Sequence, residues 1–381
     1  MLKIGKIGTE RMDGFTRLCS VIRIGDKAQQ LWYGVPTEQE SALSVGRADP
    51  FVLALLPTAL RQGLDISSED PLSERLHFQL RNDLIPALVQ TEGPYHCVSL
   101  HTPLTDIPLP SQNAVATGFS GGVDSLYTIY RHGQDCEYPL THLAVFNCGI
   151  YEGKNYRQTF LDACRRCGEF AREQKLKTVF VDSNLYEVLP ERYLDVGTFR
   201  LLSCALAVQG LVSIYLLSSG YPFEQFSLDV HNTACFDPLS VNCVSTESLQ
   251  VYLSGAETDR VKKWEALSGW EPSFRWISPC IFEQPGELNC GHCKKCVRDL
   301  AILYALNRLD NYRAVFDIQD YQKHLPQRLG FVLANRKDPI CRDAVALLSS
   351  KKAYIPPLAH TCGALFRQVI EKKCGEEKEN G

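Results

Sequence analysis

From about residue 113 the chain alternates short apolar runs with longer amphipathic ones, and this alternation limits the fold more than any other feature. "NAVATGF", "THLAVFNCG", "KTVFVDSN" and "VSIYLLSSG" read as strands. "VDSLYTIYRH", stopped by Gly133, "YRQTFLDACRRCGEFAREQK" and "TFRLLSCALAVQG" read as the helices between them. Buried strands alternating with helices predict an α/β fold with a doubly wound parallel sheet. Ligands of such sheets bind beyond the carboxyl ends of the strands.

Residues 1–112 read differently, as an additional α+β accessory domain. "TRLCSVIRIGDKAQQLWYGVP" predicts two strands about a Gly25-Asp26 turn. "DPFVLALLPTAL" and "DPLSERLHFQLRNDLIPALVQ" predict helices opened by Asp-Pro, and "YHCVSLHTPL" a short strand. The Pro-rich "TPLTDIPLPSQN" predicts a linker to a second domain over 113–310. Residues 311–381 read as a helical extension with a frayed tail, "KKCGEEKENG".

The 381 residues are 45% hydrophobic and 22% charged, which fits one large or two ordinary globular domains. A net charge of −4 gives no overall pull toward nucleic acid or anionic membrane. "MLKIGKIGTERMDGF" lacks an apolar core of signal-peptide length. The longest apolar stretch, 201–220, is broken at Gln209 and Gly210 and is short for a membrane span, so it predicts a buried helix and then a strand. The expected location is the cytoplasm, where the sixteen cysteines are reduced thiols, core residues or metal ligands.

The turn after the first strand is "SGGVDS". Gly121 and Gly122 accept a positive φ and carry no Cβ to block a ligand. The helix that follows offers backbone N–H groups and a positive dipole end to an anion. Ser120 and Ser125 add hydroxyls, and successive N–H groups, with that of Val123 among them, form an anion nest. Asp124 is unusual at an anion site: it caps the helix, orients the loop, or helps hold a Mg²⁺ riding on phosphates. The turn has neither the Gly-Lys-[Ser/Thr] ending of a Walker loop nor Gly-x-Gly-x-x-Gly spacing.

A second motif lies in "SPCIFEQPGELNCGHCKKC". Cys280, Cys290, Cys293 and Cys296 run C-x9-C-x2-C-x2-C, a knuckle spacing suited to a closed, structural Zn²⁺ site. An iron–sulfur cluster is the rival cargo, and His292 the weaker alternative ligand. Cys164 and Cys167 form another C-x2-C, read as core thiols on a helix.

The "SGGVDS" turn resembles the pyrophosphate loop of the ATP pyrophosphatase, or PP-loop, superfamily. With the "C…CGHCKKC" knuckle after it, the 115–310 region resembles the 7-cyano-7-deazaguanine synthase family. The resemblance implies adenylation of 7-carboxy-7-deazaguanine by ATP with Mg²⁺, release of pyrophosphate, and transfer to an amine. It places Ser120 to Ser125 on the β and γ phosphates, and Asn147 and Cys148 near the adenosine, the alternative for this pair being a strand-end cap and a core thiol. Asp182 and Asn184 end the third strand, and Lys154 and Arg157 begin a helix, either solvated or on a phosphate. Arg200, in the first turn of the next helix, faces the same rim. Asp229, His231 and Asn232 lie on a covering loop, and Thr258, Arg260 and Lys263 reach toward phosphates. Asp124, Ser125, Arg200 and Lys263 carry the implied catalytic roles. The sequence departs from the family at Phe223 and Glu224, which follow Gly220-Tyr221-Pro222, and in its added N-terminal and C-terminal regions. The enlarged architecture resembles deazaguanine-synthase-like proteins of antiphage defence systems. The implied acceptor is then a protein amine, its owner docking on residues 1–112, or ammonia as in the housekeeping enzyme. A tRNA-modifying PP-loop enzyme and a non-catalytic nucleotide-binding subunit are the other readings.

Overall fold

The computed structural model describes residues 1–366 apart from 13, 134–135, 152 and 281–288. The tail read as frayed and the 281–288 part of the cysteine segment lie outside the described residues. The chain forms two compact units. One joins Met1–Ser120 to Arg131–Glu257, and the other joins Gly121–Tyr130 to the chain from Thr258 onward.

The first unit contains the sheet. Its strands are β1 (Leu2–Ile4), β2 (Gly8–Met12), β3 (Phe15–Ile24), β4 (Lys27–Pro36), β5 (Ile66–Ser68), β6 (Leu72–Ser73), β7 (Leu100–His101), β8 (Leu104–Thr105), β9 (Ala114–Gly118), β10 (His142–Phe146), β11 (Lys177–Ser183), β12 (Val212–Ser218) and β13 (Gln250–Ser254). The sheet runs β13-β12-β9-β10-β11-β4-β3-β1-β5-β7, with β2 on β3; β6 and β8 pair separately. From β13 to β11 all neighbours are parallel. Taking β9 as first, these five strands have the order 3-2-1-4-5, which reverses direction at β9. Every residue of β10 is buried, as a central parallel strand covered on both faces requires.

The sheet does not end at β11. β4 pairs antiparallel with it through Asp182↔Gly34 and Ser183↔Tyr33. The Asn184 side chain lengthens that ladder, accepting from Trp32 N at 2.9 Å and donating to the Gln30 carbonyl at 2.8 Å. The helix Asp49–Gln62 packs on the helix Tyr193–Ala207, and residues from both join one apolar core with the strands. The break at Gln209 and Gly210 has a packing cause. Gln209 is buried and donates to Asp49 at 2.7 Å. A Cβ on Gly210 would sit 2.8 Å from the Ser41 carbonyl oxygen and 2.9 Å from that of Ala42.

The second unit is helical. The helix Lys294–Ala305 packs against Arg260–Leu267, Leu325–Ala334 and Pro339–Ser350. Trp264 is fully buried and meets Tyr312 edge-on, ring centroids 5.4 Å apart. The C-terminal helices therefore enclose the helix that follows the cysteine knuckle. No helix among the described residues is long and apolar enough to cross a membrane.

Candidate functional site

The "SGGVDS" turn follows β9, the strand at which the parallel order reverses. Ser120 is exposed. Gly121 has φ +73°, a left-handed conformation that a side chain would strain. The helix Val123–Arg131 then begins, with the backbone N–H groups of its first turn unmatched inside the helix. The Ser125 hydroxyl donates to the Gly122 carbonyl at 3.1 Å, so it fastens the turn to itself.

Asp124 is fixed from two sides within the helical unit. Arg260 Nη2 donates to its Oδ2 and Lys263 Nζ to its Oδ1, both at 2.8 Å. Both cations come from the helix Arg260–Leu267, which Asp259 opens by accepting from Lys262 N. Burial would raise the Asp124 carboxyl, but Arg260 and Lys263 outweigh it and hold it below its ordinary range. The arrangement is therefore a permanent anion holding two cations beside a helix N-terminus. Arg260 Nη1 also lies 3.9 Å from Asp299 Oδ1, and Asp299 accepts from Trp264 Nε1 at 2.8 Å.

The four cysteines come together in the same unit. The Sγ atoms of Cys280, Cys290, Cys293 and Cys296 all lie within 4.8 Å of one another, with Cys290 and Cys296 at 4.0 Å. A tetrahedron of about 2.3 Å Zn–S bonds has edges of about 3.8 Å, so the donor set fits Zn²⁺. Backbone N–H groups aim at the sulfurs: Cys290 at Cys280, Cys293 at Cys290 and Cys296 at Cys293, at 3.5, 3.3 and 3.5 Å. Gly291, at φ +67°, makes the turn possible. His292 is exposed, its Nδ1 on the Cys290 carbonyl, outside this donor set. Cys164 and Cys167 are buried in their helix, and burial pushes the Cys164 thiol up to about 12.

The remaining candidates gather in the sheet unit, at the carboxyl ends of β10 and β11. Asn147 is buried and donates through Nδ2 to Asp182 Oδ1 at 2.6 Å and to the Ser183 carbonyl at 3.3 Å. A carboxylate and a carbonyl only accept, so the amide nitrogen faces them. That leaves Asn147 Oδ1 buried and without a partner among the described residues. Asp182 Oδ2 accepts from Arg157 at 3.0 Å. Arg157 also reaches Glu187 at 3.1 Å and lies over the Trp32 ring at 5.6 Å, while Arg17 covers that ring at 3.9 Å. Cys148 is buried 3.6 Å from the Tyr193 hydroxyl, and burial raises its thiol.

Arg200 is not in the first turn of its helix. The helix starts at Tyr193, so Arg200 lies in the third turn and is 1% exposed. Gly197 lies inside this helix, where a Cβ would come 3.0 Å from the Tyr193 ring. Arg200 Nη2 donates to the Leu189 carbonyl at 2.9 Å and meets Glu191 at 3.4 Å. On the loop after β12, Asp229 accepts from His231 N, and Asn232 donates to the Tyr221 hydroxyl at 3.0 Å. His231 is exposed. Lys154 is exposed and Thr258 buried. Sequence reading did not single out Trp32, Asp299 or Ser278. No protein-family model matches the chain, and no curated protein matches it.

Proposed function

We propose that the protein is an ATP-dependent, AMP-forming enzyme that adenylates a carboxylate and passes the acyl group to an amine. The proposed acid is 7-carboxy-7-deazaguanine. The observation that carries the reading is the turn after β9: a left-handed Gly121, a helix N-terminus, and Asp124 holding Arg260 and Lys263. Backbone N–H groups and the Ser120 hydroxyl would hold the β and γ phosphates. Arg260 and Lys263, already positioned, would offset charge as it grows on the departing pyrophosphate. Mg²⁺, when bound, supplies further charge to that leaving group. The acid's oxygen forms a bond to the α phosphorus as the bond to pyrophosphate breaks. The amine nitrogen then forms the C–N bond, AMP leaves, and the amine releases a proton. The cysteine cluster would hold Zn²⁺ as a structural ion, four thiolates leaving no open coordination position.

The test is pyrophosphate release from ATP with 7-carboxy-7-deazaguanine, and its loss in Asp124→Ala. The variant should fall at least about 100-fold, the scale of losing preorganised charge at a reacting centre. A wild type that releases no pyrophosphate with this acid sinks the substrate assignment. Mass spectrometry of the products, with ammonia or a protein amine supplied, identifies the acceptor.

A further inference from the structure

The helical unit joins the cysteine cluster to the "SGGVDS" turn by two separate routes. The first is backbone. Ser278 N, two residues before Cys280, donates to the Gly121 carbonyl at 2.7 Å. That bond holds the peptide of the left-handed glycine itself. The second runs through side chains. Cys293 caps the helix Lys294–Ala305, and Cys296 lies in its first turn. Asp299, one turn further along, faces away from water at 3% exposed. It receives Trp264 Nε1 at 2.8 Å and lies 3.9 Å from Arg260, whose other nitrogen holds Asp124.

We propose that Asp299 is a positioning residue through which the cysteine cluster sets the conformation of the turn, so that metal binding and turn order are thermodynamically coupled. The physical basis is a chain of direct contacts. Buried Asp299 accepts from Trp264 Nε1 and lies 3.9 Å from Arg260, and Arg260 also pairs with Asp124. Moving Asp299 would disturb the cation that holds Asp124. The knuckle fixes where the helix Lys294–Ala305 starts, and the helix fixes Asp299. Asp124 carries Arg260 and Lys263 to the turn, while Ser278 holds its backbone. Linkage then works in both directions: an anion that orders the turn also stabilises the metal site. The proposal rests on the PP-loop reading only for the identity of that anion.

Hydrogen exchange on the zinc-loaded full chain decides the coupling without any ligand. In Asp299→Asn, amides of 121–126 should exchange about tenfold faster or more, within the usual range of coupling. Zinc content and exchange in the helix Pro339–Ser350 should stay as in the wild type. Unchanged exchange at 121–126 overturns the proposal, as does loosening there only together with Pro339–Ser350. A second measurement reads the reciprocal effect. With α,β-methylene ATP bound, as verified by calorimetry, chelator-driven zinc loss should slow about fivefold or more, and Asp299→Asn should abolish the slowing. An unchanged rate in a nucleotide-bound wild type overturns the coupling. Failure of the wild type to bind the analogue counts against the ATP reading, while the exchange comparison still decides the role of Asp299.

Discussion

The carboxyl end of β11 and the turn after β9 solve the same problem with different materials. At β11 the polar groups are held by side chains from a hairpin at the other end of the sequence. Arg17 and Arg157 both lie over the Trp32 ring of β4, Arg157 holds Asp182, and Asp182 holds Asn147. Thr58, in the helix Asp49–Gln62, donates to Glu191, the partner of Arg200. At the turn, the supports are Ser278, Arg260 and Lys263, and behind them a helix that begins at four cysteines. The first arrangement depends on burial and ion pairs, so it forms when the sheet forms. The second depends on thiolates that repel one another unless a cation neutralises them. A chelator should therefore discriminate between the two regions, and so should pH.

The largest expected effect is on the cysteine side. Cys290→Ser removes one of four thiolates, and structural zinc sites of this type contribute on the order of 10 kcal/mol to folding. The variant should lose bound metal, and exchange protection should collapse first in the helix Lys294–Ala305. Metal content by mass spectrometry and exchange at that helix are the two readouts. A Cys290→Ser protein with full metal and unchanged protection there would erase the contrast with β11.

The matching change on the sheet side is smaller. Trp32 is 6% exposed, and Trp32→Ala should cost roughly 3–5 kcal/mol by the usual cost of emptying a core aromatic site. Arg157→Met should cost only about 1 kcal/mol or less, since that side chain is 44% exposed and its ion pairs are screened. Both variants should loosen the backbone at Asp182–Asn184 in exchange experiments while leaving zinc content alone. If Trp32→Ala is as stable as the wild type in urea, the hairpin does not support β11 in the way its contacts suggest.

The alternation over 113–220 was legible because buried parallel strands and amphipathic helices leave different local periods, and β9 to β12 lie where those periods put them. The glycine turn and the cysteine spacing were legible because each is a short pattern with a local chemical need. β13 was not: only Val251, Tyr252 and Leu253 of "QVYLS" are apolar, too few to stand out from their surroundings as a buried strand. The β4–β11 pairing was hidden because register between distant segments leaves no local trace, and half of it is made by the Asn184 side chain. Arg200 was placed too early in its helix because the helix was read as starting at Thr198, whereas it starts five residues earlier at Tyr193. Ser278 contributes a backbone N–H, which any residue except proline would supply, so its identity carries no signal. Asp299 is an ordinary acid on a helix until the fold places Trp264 and Arg260 beside it.

A further prediction assigns pH sensitivity to the sheet unit. Asp237 is buried, and burial pushes its carboxyl from 3.8 up to about 7, the hydroxyl donated by Thr198 only partly opposing this. A folded-state value above the unfolded one means the native protein keeps a proton that the unfolded chain has released. This contribution to stability is fully present below about pH 4 and is lost as pH rises through about 7. His142 acts in the opposite sense: burial lowers it to about 4, so its contribution grows as pH rises from 4 through 6.5. Asp237→Asn keeps an acceptor for Thr198 and isolates the first effect. Between about pH 5 and 8, the wild type should lose about 2–3 kcal/mol of stability relative to the variant. Urea titrations at the two pH values, followed by exchange in the helix Tyr193–Ala207, measure this difference directly. A constant gap between the two proteins would mean Asp237 is ionised in the folded state, with water or a cation reaching it. The cysteine side should respond to the same pH step in the opposite sense, holding its metal less tightly at pH 5 than at pH 8, because binding requires deprotonated thiols.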